Sequence, residues 1–308
     1  MESCSRAPSG YRVHWPAACT LRCRSVSILR GGTRHRARVP ERPMPERALT
    51  SEDDYAVSAD LYDHVTLYRE RADIAFYVEE AARVSGEILE LGCGSGRVLI
   101  PTAKAGATIV GIDGSARMLE RCAASLERQP QSVRSRVTLI HADMRDFDLG
   151  RTFALITIPF RPFQHLLTVE DQIACLTSVR RHLAEDGRFI FDVFNPSLEL
   201  LVNTALGVEI ETEPPFSLPD GRRVQRRSKV LRHDRLSQVT DHELIYYITG
   251  PDGHVERVVH GFSMRNTFKF EMEHLLIRLG FTIGHVYADF DRIPFGSKYP
   301  GELIFVTS

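Results

Sequence analysis

Glu87-Ile88-Leu89-Glu90-Leu91-Gly92-Cys93-Gly94-Ser95-Gly96-Arg97 decides how this chain folds. The first five residues form a short, mostly apolar run, the pattern of a strand buried on both faces of a parallel sheet. Three glycines at alternate positions follow, and residues 97–105 then take up helical spacing. Strand, glycine turn and helix together open a βαβ unit. The bare backbone of the turn lets a ligand lie against the carboxyl edge of the sheet. The spacing is GxGxG. A dinucleotide fingerprint, GxGxxG, needs its third glycine at position 97, where Arg97 stands. An acidic residue on the strand, Glu90, suits a cofactor that carries cationic charge and an amino-acid end.

Outward from this turn, apolar strands alternate with helical segments. Strands are expected at 108–113, 137–143, 153–160 and 188–194. Helices are expected at 115–128, with Ser115 as N-cap, and at 170–183, closed by Asp186-Gly187. One or two further helices precede the glycine turn, over 58–83. The alternation predicts a doubly wound, Rossmann-like α/β fold: a mostly parallel seven-stranded sheet with helices on both faces. After Asn195-Pro196 the rhythm changes. Pro-Asp-Gly turns at 219–221 and 251–253 separate three β-rich segments, 222–233, 236–249 and 254–265, which read as an antiparallel meander. A helix at 270–279 and strands at 281–289 and 302–307 resume the α/β pattern. Residues 51–196 are therefore read as the core. Residues 197–266 form an insertion after the fifth strand, serving as a lid, substrate or dimer element, and residues 267–308 complete the core.

The 308 residues carry 39 basic and 40 acidic side chains, with 43% hydrophobic content. No run approaches the roughly 18 apolar residues of a membrane span. The charge is uneven. Residues 1–43 hold nine arginines and two acids, which leaves 30 basic and 38 acidic groups in the remainder. An acidic body argues against a nucleic-acid partner. The first 43 residues lack strand or helix periodicity and are expected to stay outside the fold. They read as translated sequence upstream of Met44, as a transit peptide or as a basic tail. Cys93, Cys122 and Cys175 show no CxxC spacing, so neither a disulfide framework nor a metal site is expected, and a reducing cytoplasmic compartment fits.

ELGCGSGR, GIDGSARML (111–119) and HADMRDFDL (141–149), in this order on these elements, resemble the class I S-adenosylmethionine (SAM)-dependent methyltransferases. The MRDF run and the later His165-Leu166 pair are especially similar to the aminosugar N,N-dimethyltransferases, and the late β insertion also resembles glycine N-methyltransferase. The resemblance implies SAM as cofactor. It implies that Gly92, Cys93, Gly94 and Gly96 admit the methionine part, with Glu90 beneath them. Asp113 would hold the ribose hydroxyls, Asp143 and Met144 the adenine, and Ile158 would pack near adenine or methyl donor. From residues alone, the alternatives are a helix cap for Asp113 and an ion pair with Arg145 for Asp143, and Cys93 reads best as a small buried filler.

The acceptor is expected at the loop leaving the fourth strand, Pro159-Phe160-Arg161-Pro162-Phe163-Gln164-His165. His165 is the candidate general base, Arg161 a candidate carboxylate-binding cation, and Tyr62 a candidate lid residue together with Tyr68. Packing or capping for His165, and a solvated loop position for Arg161, are the alternatives. Arg222, Arg223, Arg226 and Arg227 suit an acidic substrate, a second subunit or an edge strand. The expected activity is methyl transfer to an amine or hydroxyl of a small molecule, by a chain that forms a homodimer. A nicotinamide-dependent oxidoreductase and a catalytically inactive SAM-binding regulator are the rival functions.

Overall fold

The computed structural model describes Tyr55, residues 58–202 and residues 205–308. The expected extension over residues 1–43 lies outside the described residues. Three short helices come first, α1 (Ala59–Tyr62), α2 (Thr66–Arg69) and α3 (Asp73–Ala82). The core continues through β1 (Ile88–Leu91), α4 (Leu99–Lys104), β2 (Ile109–Asp113), α5 (Ala116–Glu127), α6 (Gln131–Arg134), β3 (Val137–His141) and β4 (Phe153–Ile158). A 3-10 turn at Pro162–His165 leads to α7 (Val169–His182) and β5 (Leu183–Phe194). Then follow α8 (Leu198–Val202), β6 (Ile210–Glu211), β7 (Phe216–Ser217), β8 (Arg223–Asp234), β9 (Val239–Thr249) and β10 (Val255–Arg265). The chain closes with α9 (Lys269–Arg278), β11 (Ile283–Tyr287) and β12 (Glu302–Thr307).

Seven strands form the main sheet in the order β11-β12-β5-β4-β1-β2-β3, with β12 antiparallel to both of its neighbours. This is the expected doubly wound α/β sheet. Every residue of β1 is buried, because helices cover both faces. Phe76 of α3, Leu99 of α4 and Cys122 of α5 pack on one face, and Leu176 of α7 with Met272 of α9 on the other. Ser115 does cap α5: its hydroxyl accepts from the Met118 N–H at 3.2 Å.

Two local expectations are corrected. Asp186-Gly187 does not close α7, which ends at His182 and runs straight into β5. Phe153 pairs with Leu183 but Leu155 pairs with Arg188, so these residues form a bulge inside the strand. Pairing with β4 satisfies the backbone that a capping turn would otherwise serve. β8, in turn, is no edge strand, since β9 lies on one side of it and β6 and β7 on the other. Arg226 lies on the inner face, held by Tyr68 and Glu213, and is only 5% exposed.

The insertion sheet places one face against the core. Cross-strand neighbours Arg226–Tyr246–Val258, Ser228–Leu244–His260 and Val230–His242–Phe262 line that face in sequence. At one end it packs on Leu61 and Val65 of the N-terminal helices through Tyr246 and Ile248. Its middle reaches the turn after β4. Among the described residues, no helix is long and apolar enough to cross a membrane.

Candidate functional site

The carboxyl ends of β1, β2 and β4 open into a cavity of about 250 Å³, which Glu90, Gly92, Cys93, Gly94, Asp113, Met144, Tyr62 and His165 line together. The order of strands produces this edge: β1 lies between β2 and β4, so the loops after all three converge. Asp113 ends β2 and binds the glycine loop directly. Its carboxylate accepts from the Gly94 N–H at 2.7 Å and from the Ser115 N–H at 2.8 Å. The helix cap is Ser115, so Asp113 is a loop clamp that also faces the cavity.

Gly92 and Gly96 are glycines for different reasons. A Cβ on Gly92 would stand 2.7 Å from Pro162 Cγ, so the glycine loop and the turn after β4 approach closely at the cavity. A Cβ on Gly96 would stand 2.7 Å from Cys122 Sγ and 2.9 Å from Ile100 Cδ1. Gly96 lies outside this cavity, and its small size serves the packing of α4 and α5 instead.

Beneath the loop, Glu90 is buried at 2% exposure, and its Oε2 has no hydrogen-bond partner. Burial pushes its pKa up to about 8; Arg97 opposes the shift, and Asp73 and Asp113 add to it. Arg97 itself lines the cavity. Its guanidinium is held by Asp73 at 2.6 and 2.8 Å and lies 4.6 Å from the centre of the Phe160 ring. Cys93 is a buried free thiol, pushed well above its usual pKa by burial, as suits a filler rather than a nucleophile.

His165 reaches the cavity from the 3-10 turn. Its Nε2 is 3.1 Å from the Tyr55 hydroxyl, and the Tyr55 ring stands edge-on to both His165 and His260. Burial pushes the imidazole down to about 4, against a hydrogen bond to the Ser263 backbone. It is therefore uncharged at neutral pH. Tyr62 and Tyr68 close the same side, with ring centroids 4.8 Å apart, and Arg226 donates to the Tyr68 hydroxyl at 2.6 Å. The insertion is thereby tied to the N-terminal helices.

Besides Gly96, three expected site residues face elsewhere. Asp143 is held by Arg145, with Arg145 Nη2 donating at 2.5 Å, and lies outside the cavity lining. An acid two residues from an arginine on an exposed turn satisfies itself locally. Ile158 is fully buried in the core that faces α7. Arg161 is 7% exposed; it ion-pairs with Glu302 of β12 and lies 3.4 Å from the Phe194 ring centroid. The carboxylate it binds belongs to its own chain.

The residue reading missed Tyr55, Arg97 and Met118 as cavity residues, whereas Phe160 of the expected acceptor loop does line the cavity. Arg97 had served only to exclude a dinucleotide fingerprint. Phe160 and Arg161 both adopt left-handed backbone, with φ of 66° and 72°. Bulky residues there cost about 1–3 kcal/mol each. Asp192, fully buried at the end of β5, holds the strained turn by accepting from the Phe160 N–H at 2.8 Å and the Tyr77 hydroxyl at 2.7 Å. Such strain has no signature in residue type.

Residues 88–187 match the model of a methyltransferase domain. Over 135 residues the chain is 35% identical to a dTDP-3-amino-3,6-dideoxy-alpha-D-glucopyranose N,N-dimethyltransferase of Streptomyces fradiae, covering 42% of this chain and 50% of the relative. The chain thus spans about half the length of that curated relative. A solved methyltransferase from Streptomyces caelestis shares the fold, with a TM-score of 0.66 at 24% identity over 84% of this chain and 98% of that one. A SAM-bound amino pentose methyltransferase from Micromonospora echinaspora gives a TM-score of 0.59 at 22% identity, over 80% and 95% of the two chains.

Proposed function

We propose that the chain, whose residues 88–187 match a methyltransferase domain, is a class I SAM-dependent methyltransferase that methylates the amine of a small molecule. The cavity at the carboxyl edge of the sheet carries this reading. Its residues suit SAM chemically. The unpartnered Glu90 Oε2 complements an ammonium, and Arg97 beside it complements a carboxylate, so the pair matches a zwitterionic amino-acid end. Asp113 accepts from ribose hydroxyls. Met144, expected beside the adenine, and Met118 supply polarizable walls for it. When bound, the sulfonium supplies an electrophilic methyl group.

The protein then positions the acceptor, an effect worth up to about 7–11 kcal/mol. Tyr55, Tyr62 and Phe160 wall the reacting end, and His165 orients the acceptor at a ring nitrogen. The state of His165 favours nitrogen over oxygen as acceptor. An imidazole that titrates at about 4 is too weak a base to ionise an alcohol. A neutral amine already holds its lone pair and asks only for placement and later removal of a proton. Three buried free thiols, Cys93, Cys122 and Cys175, support work in the reducing cytoplasm.

The test is calorimetric binding of SAM and S-adenosylhomocysteine (SAH), followed by SAH release against matched panels of amines and alcohols. Micromolar SAH affinity with turnover confined to amines is expected. Absence of SAH binding would sink the whole reading, and turnover on alcohols alone would sink the choice of nitrogen.

A further inference from the structure

A second cavity of about 650 Å³ lies beyond the turn that carries His165. That volume is in the range of sites for drug-sized ligands. Val230, His242 and Met264, at the far end of the inner face of the insertion, form one wall; Phe194, Leu200 and Ile210, after β5, form another. Leu200 and Ile210 are 64% and 61% exposed. Clustered apolar side chains left in water at the mouth of a concavity mark a binding site.

Its polar lining has a sign. Asp289, Asp291 and Glu302 face Arg71 and Lys298. Arg71 is engaged by Asp73 at 3.3 Å and by Glu302 at 3.1 Å, and Lys298 leans toward Asp289 at 3.6 Å. His233 and His242 also face the space, both lowered by burial, His242 to about 4, so neither adds positive charge at neutral pH. The lining is net acidic, which complements a cation on an apolar body.

The two cavities share a partition. Gln164 lines the second one and His165, the next residue, lines the first. Consecutive Cα atoms are about 3.8 Å apart. His242 stacks on Phe262 at 5.3 Å, and Phe262 stands 5.7 Å from His165. We infer that the second cavity holds the apolar body of the methyl acceptor, a lipophilic amine whose cationic form offsets the acidic lining. The inference rests on the methyltransferase reading above. A concave space with charged anchors fits a small molecule better than the flat face of a second copy.

The test uses the full chain and N-phenyl-1-naphthylamine, a polarity-sensitive fluorophore, displaced by n-alkylamines of increasing length. Affinity should rise about fourfold per methylene until the cavity is full. Alkyl carboxylates of equal length should bind about tenfold more weakly. Met264→Trp, which fills the space, should weaken alkylamine binding at least tenfold. Leu200→Ser, at an exposed rim position that spares folding, should weaken it severalfold. Both should leave SAH affinity unchanged. Length-independent binding, equal affinity for carboxylates, or indifference to both variants would overturn the inference while SAH binding upholds the methyltransferase reading. So would a dimer that Leu200→Asp dissociates without loss of amine binding, since a second copy would then cover this face. Failure of SAH to bind would instead remove the reading beneath it.

Discussion

In the proposed cofactor site, Glu90 is the residue that would couple binding to pH. In the ligand-free chain its carboxyl group titrates at about 8, because it is buried, with Arg97 drawing the value down and Asp73 and Asp113 raising it. A cationic amino group beside it requires the ionised form, so binding releases a proton at neutral pH. SAH affinity should therefore rise up to about tenfold per pH unit toward 8 and level off above it. Glu90→Gln should abolish the dependence and weaken binding at pH 8.5 by about 1.5–3 kcal/mol; calorimetry in buffers of different ionisation enthalpy reads both. An unaltered pH profile in the variant would remove Glu90 from the site. The sign for stability is opposite. Between the unfolded value of about 4.3 and about 8 the folded chain keeps a proton that the unfolded chain releases, so unliganded stability falls as pH rises through this window. His165 makes a second residue-scale prediction. His165→Asn should keep SAH affinity and lower turnover about 10²-fold. In the parent, the acidic limb due to this ring should lie near 4; a limb near 6.5 that the variant loses would show that the ring is solvated and its surroundings are otherwise.

At the scale of elements, the glycine turn is two devices in five residues. Gly92 meets Pro162 across the cavity, whereas Gly96 meets Cys122 and Ile100 inside the packing of α4 and α5. Gly96→Ala should cost about 1–3 kcal/mol by overpacking, plus left-handed strain at φ 88°. Denaturant unfolding should register that loss, with SAH affinity nearly intact in the folded fraction. Gly92→Ala should reverse the balance by pushing the Pro162 turn, and an equal loss of SAH affinity in both variants would contradict the division. Periodicity made β1, β2, β4, α5 and the three long insertion strands legible, because each buries a repeating apolar face. The bulge in β5 was not legible, since Asp186-Gly187 is equally good chemistry for a helix stop and for a bulge. Only the presence of β4 alongside decides between them.

Across the molecule, a buried ionic chain connects the two cavities. Arg97 lines the first and binds Asp73; Asp73 binds Arg71; Arg71 and Glu302 line the second, and Glu302 also pairs with Arg161. The chain draws on α3, the glycine turn, the turn after β4 and β12, and joins segments more than 200 residues apart in sequence. Asp73 has no exposed side-chain surface. Burial raises its pKa, but Arg97 and Arg71 outweigh that and hold it below the usual range. Asp73→Asn leaves two guanidinium groups facing each other and should cost about 3–5 kcal/mol. The depressed value means that the contribution is present above the unfolded carboxylate range, near 3.9, and is lost as pH falls below it. Thermal melts of parent and variant should accordingly converge toward pH 3, and a constant difference down to that pH would deny the ion pairs their role.

The amino-acid sequence by itself determined the doubly wound sheet, the antiparallel insertion and the sheet edge at which the cavity opens. Those follow from apolar period and from glycine after a strand, both local properties of the chain. Of the residues it singled out, Glu90, Asp113, Met144 and His165 line the cavity, because each stands within a few residues of the carboxyl end of a strand. Which charges are free was decided by tertiary structure alone. Arg161 and Glu302 are 141 residues apart, and only the insertion of β12 beside β5 brings them together. Arg226 becomes buried because Tyr68, 158 residues away in sequence, and Glu213 close around it. Asp143, by contrast, is withdrawn by a neighbour two residues away, and the choice between neighbour and cavity depends on which way the turn points. A charged side chain is defined by its nearest opposite charge, and that distance exists only after the chain has folded.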